Sequence, residues 1–326
     1  ANHCGRDHEF FQASIDQQGE ALARWPRVDA WDADSKYYDW FDRVHEARYD
    51  GDGLVEPEPR VTGFFDLLDM PNFNFDNLAV REHLLAAADF WSGEVGVDGF
   101  RCDIAWGVPH DFWKDVREIV RSNDGEFLML DESIPHDAGF AENEFDVHFD
   151  TVEYTGAAHD IARGEGSAFD LLDAVEARAE KGFPDHTLLL NATENHDEAR
   201  LLNEALHADV HDDPAHVQRA IWAAGVALPG VPFVYSGQER QISKHGEGRH
   251  RGEGDDRDAD VRPGGKQRAL MNWAHQGDTV PEEHLQFYRD VIELYHDVDA
   301  LGPDADLADV WFRSDDRVLA FGRAAT

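Results

Sequence analysis

The stretch GVDGFRCDIAWGVPHDFW, residues 96–113, reads as a short strand with a charged end that runs into a helix. Gly99 and Phe100 open an apolar run that Ile104 and Ala105 close, and Arg101 and Asp103 stand inside it. Side chains at i and i+2 of a strand point to one face. The arginine and the carboxylate are therefore expected to share an interior face, where an unpaired charge is costly. Cys102, between them, is expected to face away. Beyond the strand, Pro109 suits a first helical turn, and Phe112, Trp113, Val116 and Ile119 follow at helical spacing. Charged residues at the C-terminal end of a strand, just ahead of a helix, are where barrel enzymes keep their chemistry. A structural buried ion pair is the plainer reading of the same residues.

The pattern on either side is regular from residue 77 onward. Val80, Leu84, Leu85, Ala88, Trp91 and Val95 predict a helix after Asn77. Short apolar runs predict strands at 98–104, 127–130, 145–149, 187–190 and 231–235. Helical spacing covers 109–122, 168–181, 214–227 and 282–296. Strands alternating with helices predict parallel βα units, and eight such units make a barrel of about 250 residues. The tail, Val310-Trp311-Phe312 and Val318-Leu319-Ala320-Phe321, alternates like an antiparallel hairpin of another domain. Residues 4–78 read as irregular, rich in Asp, Gly and Pro, with a turn at Asp50-Gly51-Asp52-Gly53. So long a loop-like segment is usually functional or a small subdomain. His245 to Arg257 reads as a solvated loop.

Composition narrows the class. The 326 residues carry a formal charge of −39, and of 29 basic residues 24 are arginine and five lysine. Acid excess with little lysine, over a chain that is 42% hydrophobic and 11% aromatic, reads as a salt-adapted folded protein rather than a disordered acidic one. Nucleic acid is excluded as a partner, since gripping phosphates needs basic patches. No apolar run of 18 residues exists, so no membrane span is expected. Cys4 and Cys102 are too few for a disulfide framework and are expected to be buried free thiols. The chain opens ANHCGRDHEFF, without Met, as if in the middle of a unit; its true start, with any export signal, is expected to lie upstream.

Three strand ends present carboxylates: Asp103, Glu132 and Asp197, with Arg101, His196 and His3 in their company. Carboxylates converging at one barrel mouth suit glycoside hydrolysis, in which one serves as nucleophile and another as acid and then base. The acid needs a raised pKa, and the nucleophile must stay ionised beside a cation. Arg101 is placed to keep Asp103 ionised.

GFRCD at 99–103, the LDE strand end at 130–132, ENHDEAR at 194–200, GVPFVYSGQE at 230–239 and the opening NH resemble, in order, the motif series of the α-amylase family of glycoside hydrolases. The resemblance covers nearly the whole chain. MPNFNFDN at 70–77, SKYYDWF at 35–41 and RALMNW at 268–273 look most like the neopullulanase, cyclomaltodextrinase and maltogenic amylase branch. It implies Asp103 as nucleophile, Glu132 as acid/base and Asp197 as transition-state stabiliser, with Arg101, His3, His196 and Arg200 contacting sugar. Trp106 is read as either a wall of the acceptor side or plain packing.

The resemblance further implies an α/β fold, the (β/α)8 TIM barrel, incomplete here from the end of strand 3 through strand 8. Residues 1–3 would end strand 3, 4–78 form an inserted subdomain, 79–300 hold strands 4–8, and 301–326 start a C-terminal β-sandwich. The chain is thus expected to be a fragment, truncated at both ends. The implied activity is retaining hydrolysis of α-glucan oligosaccharides; a cytoplasmic location is expected separately. A transglycosylase or α-glucosidase-type enzyme would use the same trio, and a non-catalytic sugar-binding or transporter-associated relative should have lost one of the three. No cofactor is required and calcium is possible: Asn2 matches a calcium ligand of some members, and the remaining histidines have no metal-site spacing. Two departures stand out, Asp131 where the family commonly has Gly and Asn72 where many have Asp or Lys.

Overall fold

A computed structural model describes residues 2–14, 32–49, 54–67, 70–133, 137–149, 153–184, 187–241, 282–303, 305–311 and 320–324. The turn at 50–53, the loop at 245–257 and the RALMNW segment lie outside the described residues. The chain divides into two compact units, Ala1–Phe145 and Asp146–Thr326.

In the first unit, β1 (Arg43–Tyr49) and β2 (Leu54–Val61) form an antiparallel pair after the short helix α1 (Glu9–Ala13). This hairpin lies in the span read as irregular. Its signal is hidden by Pro57 and Pro59, which a two-stranded ribbon tolerates because each strand has a free edge. Helix α2 (Leu78–Asp89) starts where the sequence says: the Asn77 side chain accepts from the Ala79 amide at 2.9 Å. A π turn, Phe90–Val95, closes it at Gly96, whose φ of 74° suits glycine. Then come β3 (Gly99–Cys102), α3 (His110–Asn123) and β4 (Leu128–Asp131), a βαβ unit with β3 and β4 parallel from Gly99↔Leu128 to Cys102↔Asp131. Gly99 permits that pairing, since a Cβ there would meet the Leu128 carbonyl oxygen at 2.6 Å. Phe112, Trp113, Val116 and Val120 of α3 pack with Phe127, Met129, Phe140 and Phe145 in one core. Each large side chain so buried contributes about 1.5–3 kcal/mol.

The second unit continues the alternation: β5 (Val147–Phe149), α4 (Glu153–Arg163), α5 (Asp170–Glu180), β6 (Leu188–Asn191), α6 (Leu201–Ala208), α7 (Pro214–Ala227), β7 (Val231–Pro232) and α8 (Glu282–Asp297). β5 pairs parallel with β6, and β6 with β7. The five predicted strands are present, most trimmed by a few residues. β7 stops two residues in, at Pro232, which has no N–H to give. Helix α7 spans the predicted 214–227, with Asp213 as its cap and Pro214 in its first turn. Tyr154, Leu171, Leu172, Leu201, Ile221 and Leu228 form the core. The tail is antiparallel as patterned, β8 (Asp306–Trp311) with β9 (Ala320–Ala324); Phe312, Val318 and Leu319 lie outside the described residues. Among the described residues, no helix is long and apolar enough to cross a membrane.

Candidate active site

The first unit gathers its polar groups at the C-terminal ends of β3 and β4. β3 ends at Cys102, so Asp103 stands just past the edge, with 37% of its side chain exposed. Arg101 is 34% exposed. The shared interior face expected from the strand pattern is therefore a half-solvated rim, because a strand this short delivers both charges to its mouth. The pairing itself is as expected. Arg101 Nη1 donates to Asp103 Oδ1 at 2.5 Å, and Nη2 reaches Glu132 Oε1 at 3.0 Å. One guanidinium fork thus spans two carboxylates, a geometry that lysine cannot copy.

Glu132 is held by main chain as well. Its amide donates to the Cys102 carbonyl at 2.9 Å, its carbonyl accepts from Ala105 at 3.0 Å, and its Oε2 accepts from the Ile104 amide at 3.0 Å. Ile104 delivers that amide from a left-handed backbone, φ 50° and ψ 53°. Burial pushes the Asp103 carboxyl up, and the hydrogen bond and charge of Arg101 outweigh it, holding the group below the ordinary carboxylate range.

His3 lies in the field of Asp103, whose charge raises its pKa; burial prevails and lowers it. Its ring stacks on Phe64 at 5.3 Å, and Nδ1 is 2.8 Å from Asn2 Oδ1. Residues 2–4 pair with 71–73, which puts Asn72 opposite His3. The Asn2 side-chain oxygen lies 2.8 Å from His3 Nδ1, and its nitrogen donates to Asn72 Oδ1 at 3.4 Å. Among the described residues, neither unit by itself gathers three His, Cys, Asp or Glu side chains at metal-binding distance. Trp106, 37% exposed, stands 6.2 Å from both Phe64 and Phe65 and walls a groove of about 500 Å³ with Pro109, His110, Asp137 and Phe140.

Cys102 turns into the apolar core, as its place between the two charges requires, and burial raises its thiol to about 12. Cys4 is free but only half-buried, contrary to expectation; burial still raises it to about 11. Asp131, one residue before Glu132, is fully buried.

In the second unit, His196 and Asp197 follow β6, with His196 Nε2 at 3.4 Å from Asp197 Oδ2 and both side chains partly exposed. Asn195 organises the turn: its Oδ1 accepts from the amides of Asp197 at 2.7 Å and Glu198 at 3.1 Å. Arg200, read from sequence as a sugar contact, is 1% exposed and turned inward, because Glu194 draws it there. Nη1 donates to Glu194 Oε1 at 2.8 Å and Nη2 to the Ser236 carbonyl at 2.8 Å. Burial pushes the Glu194 carboxyl up, against the pull of Arg200 and the Leu201 amide. Glu194 escaped the sequence reading, where only its placement six residues before an arginine hinted at a pair.

Parallel βα units carry catalytic groups at their C-terminal strand ends, and a pair of carboxylates there is what glycoside hydrolysis needs. Residues 1–306 match the alpha-amylase catalytic domain, and the chain belongs to that family. It is 34% identical over 326 residues to alpha-amylase MalA of Haloarcula japonica, covering 99% of this chain and 39% of that protein. That source agrees with the salt-adapted composition. It is 32% identical over 216 residues to a cyclomaltodextrinase of a Bacillus species, covering 63% of this chain and 35% of the relative. The structure of cyclic alpha-maltosyl-(1→6)-maltose hydrolase from Arthrobacter globiformis superposes with a TM-score of 0.72 at 21% identity, over 99% of this chain and 63% of that one. The chain thus spans well under half the length of these two curated relatives.

Proposed function

We propose that this chain carries the catalytic groups of a retaining α-glucan hydrolase, cleaving α-1,4 bonds, with α-1,6 bonds as a second linkage, in starch-derived oligosaccharides or cyclodextrins. The observation that carries this reading is the Arg101 fork on Asp103 and Glu132. Asp103, kept ionised by Arg101, attacks the anomeric carbon while Glu132 protonates the departing glycosidic oxygen. The covalent glycosyl–Asp103 ester is then opened by a water that Glu132 deprotonates, which returns both carboxyls to their starting states. Asp197 stabilises the oxocarbenium-like transition state, and His3, Arg101 and His196 bind the sugar being cleaved.

The trio is intact, which favours an enzyme over a non-catalytic relative. The aromatic wall of Trp106, Phe64 and Phe65 favours some transfer to a second sugar beside hydrolysis, because it offers an acceptor a stacking face. Two unpaired thiols support a cytoplasmic location. Product analysis on cyclodextrin, pullulan and soluble starch, with the full-length polypeptide that carries this sequence, tests the reading. Maltose-type products are expected from at least one, and Asp103→Asn should abolish them. No cleavage of any, or an Asp103→Asn enzyme within about tenfold of the parent, would overturn it.

A further inference from the structure

We propose that Glu194 and Arg200 form a buried clamp that positions the Asp197 carboxylate, which makes both of them positioning residues for the reaction assigned above. The inference rests on that assignment for its catalytic meaning, but the geometry stands without it.

Asp197 sits midway along the loop that links β6 to α6. A loop at a barrel mouth is the least restrained part of the fold, whereas a catalytic carboxylate has to be held to within about 0.5 Å. Glu194 and Arg200 stand on either side of the five residues 195–199. The ion pair between them, 2.8 Å long with side chains 0–1% exposed, closes that loop at its neck. The second carboxylate oxygen of Glu194 accepts from the Leu201 amide at 2.6 Å, which fixes the neck to the first turn of α6. The second arm of Arg200 holds the Ser236 carbonyl, and its plane lies 4.2 Å over the Tyr235 ring, which fixes the neck to the segment after β7. Inside the neck, Asn195 binds the amides of Asp197 and Glu198. The loop is restrained at both ends and in the middle, and Asp197 is left partly exposed at its crest.

Stability alone is a poor reason for such a pair. Replacing a buried ion pair by well-packed apolar residues is often neutral or stabilising. An arginine fork shared between a carboxylate and a carbonyl supplies direction instead, and Arg200 has no open surface from which to touch a sugar.

Arg200→Lys in the full-length polypeptide, in about molar KCl, tests this. Lysine keeps the charge but cannot reach Glu194 and Ser236 together. Amide exchange across 195–201 should quicken by about tenfold or more while peptides of α5 and α7 keep their rates, and kcat on maltotriose should fall by about tenfold or more with KM changed less than about threefold. Glu194→Gln, which keeps shape and acceptor but loses charge, should move both readings the same way and decides the matter if Arg200→Lys does not fold. Unchanged exchange at 195–201, exchange that rises equally throughout the unit, or kcat within about twofold of the parent would overturn the clamp. If the parent turned over no α-glucan, the hydrolase reading would fall by itself, and the exchange pattern would still judge the clamp.

Discussion

Replacing Arg101 with methionine takes one cation from between two carboxylates and leaves the strand otherwise as it is. A charge-assisted hydrogen bond to Asp103 and an ion pair with Glu132 disappear. Loss of a preorganised donor at a reacting charge costs about 10²–10³ in rate, or about 3–4 kcal/mol of barrier. The effect on folding should be far smaller. Arg101 and Asp103 are each about a third exposed, and water-screened pairs contribute about 1 kcal/mol or less. The pH dependence has a definite sign. Burial raises the Asp103 carboxyl, and Arg101 holds it below the ordinary range. With Arg101 gone, burial prevails, so the acid limb of kcat/KM must move to higher pH. The lowered carboxyl also stabilises the parent at pH above the ordinary carboxylate range, and that stabilisation is lost as pH falls through the lowered value. Parent and variant should therefore differ in melting temperature near neutrality and converge in acid. The assay is a pH–rate profile on maltotriose beside thermal melts in the same buffers. An acid limb that stays put or moves lower, or a kcat/KM within about tenfold of the parent, would refute the role given to the fork.

Retention predicts that the α-anomer of each product appears first by proton NMR; β-anomer first would exclude a glycosyl–Asp103 intermediate. A charge of −39 repels itself across a Debye length of about 10 Å at 0.1 M salt and about 3 Å at 1 M, so the melting temperature should climb with KCl, and a flat or falling curve would contradict this. Thiols raised to about 11 at Cys4 and about 12 at Cys102 should be almost unreactive with iodoacetamide at pH 8 in the native protein and should both label in denaturant; native labelling of Cys102 would show that its core is open. Trp106→Ala should lower the ratio of transfer to hydrolysis on maltotriose, and an unchanged ratio would remove it from the acceptor wall.

The sequence spoke most clearly where one interaction decided the local structure. Asn77 ahead of α2, the helical spacing of 214–227 and the i, i+2 pairing of Arg101 and Asp103 each involve neighbours in the chain, and each is found as read. It was silent where the deciding partner is distant. Helix α4 holds Gly156 and buries mostly small or polar residues such as Thr155, Ala158, His159 and Ala162, so it shows no bold apolar stripe; Thr155 and His159 instead bond the carbonyls of Ala192 and Thr193. Helix α6, eight residues long, was hidden in the shadow of the ENHD motif. The inward turn of Arg200 depends on Glu194, one acid among 68 in an acid-rich chain. Spacing shows that an arginine is near a loop, but not which way it faces.

The left-handed residue Ile104 ties the Asp103 and Glu132 carboxyls to one piece of main chain. A non-glycine residue there costs about 1–2 kcal/mol, yet the turn aims its amide at Glu132 while its other neighbour is Asp103. The placement of the Glu132 carboxylate beside the Asp103 backbone is thereby set by main chain, and side-chain changes nearby need not disturb it. Trp106, two residues on, lies outside that hydrogen bond and can be exchanged without loosening it. On the function proposed above, the sugar that is received can change while the placement of the two carboxyls is kept.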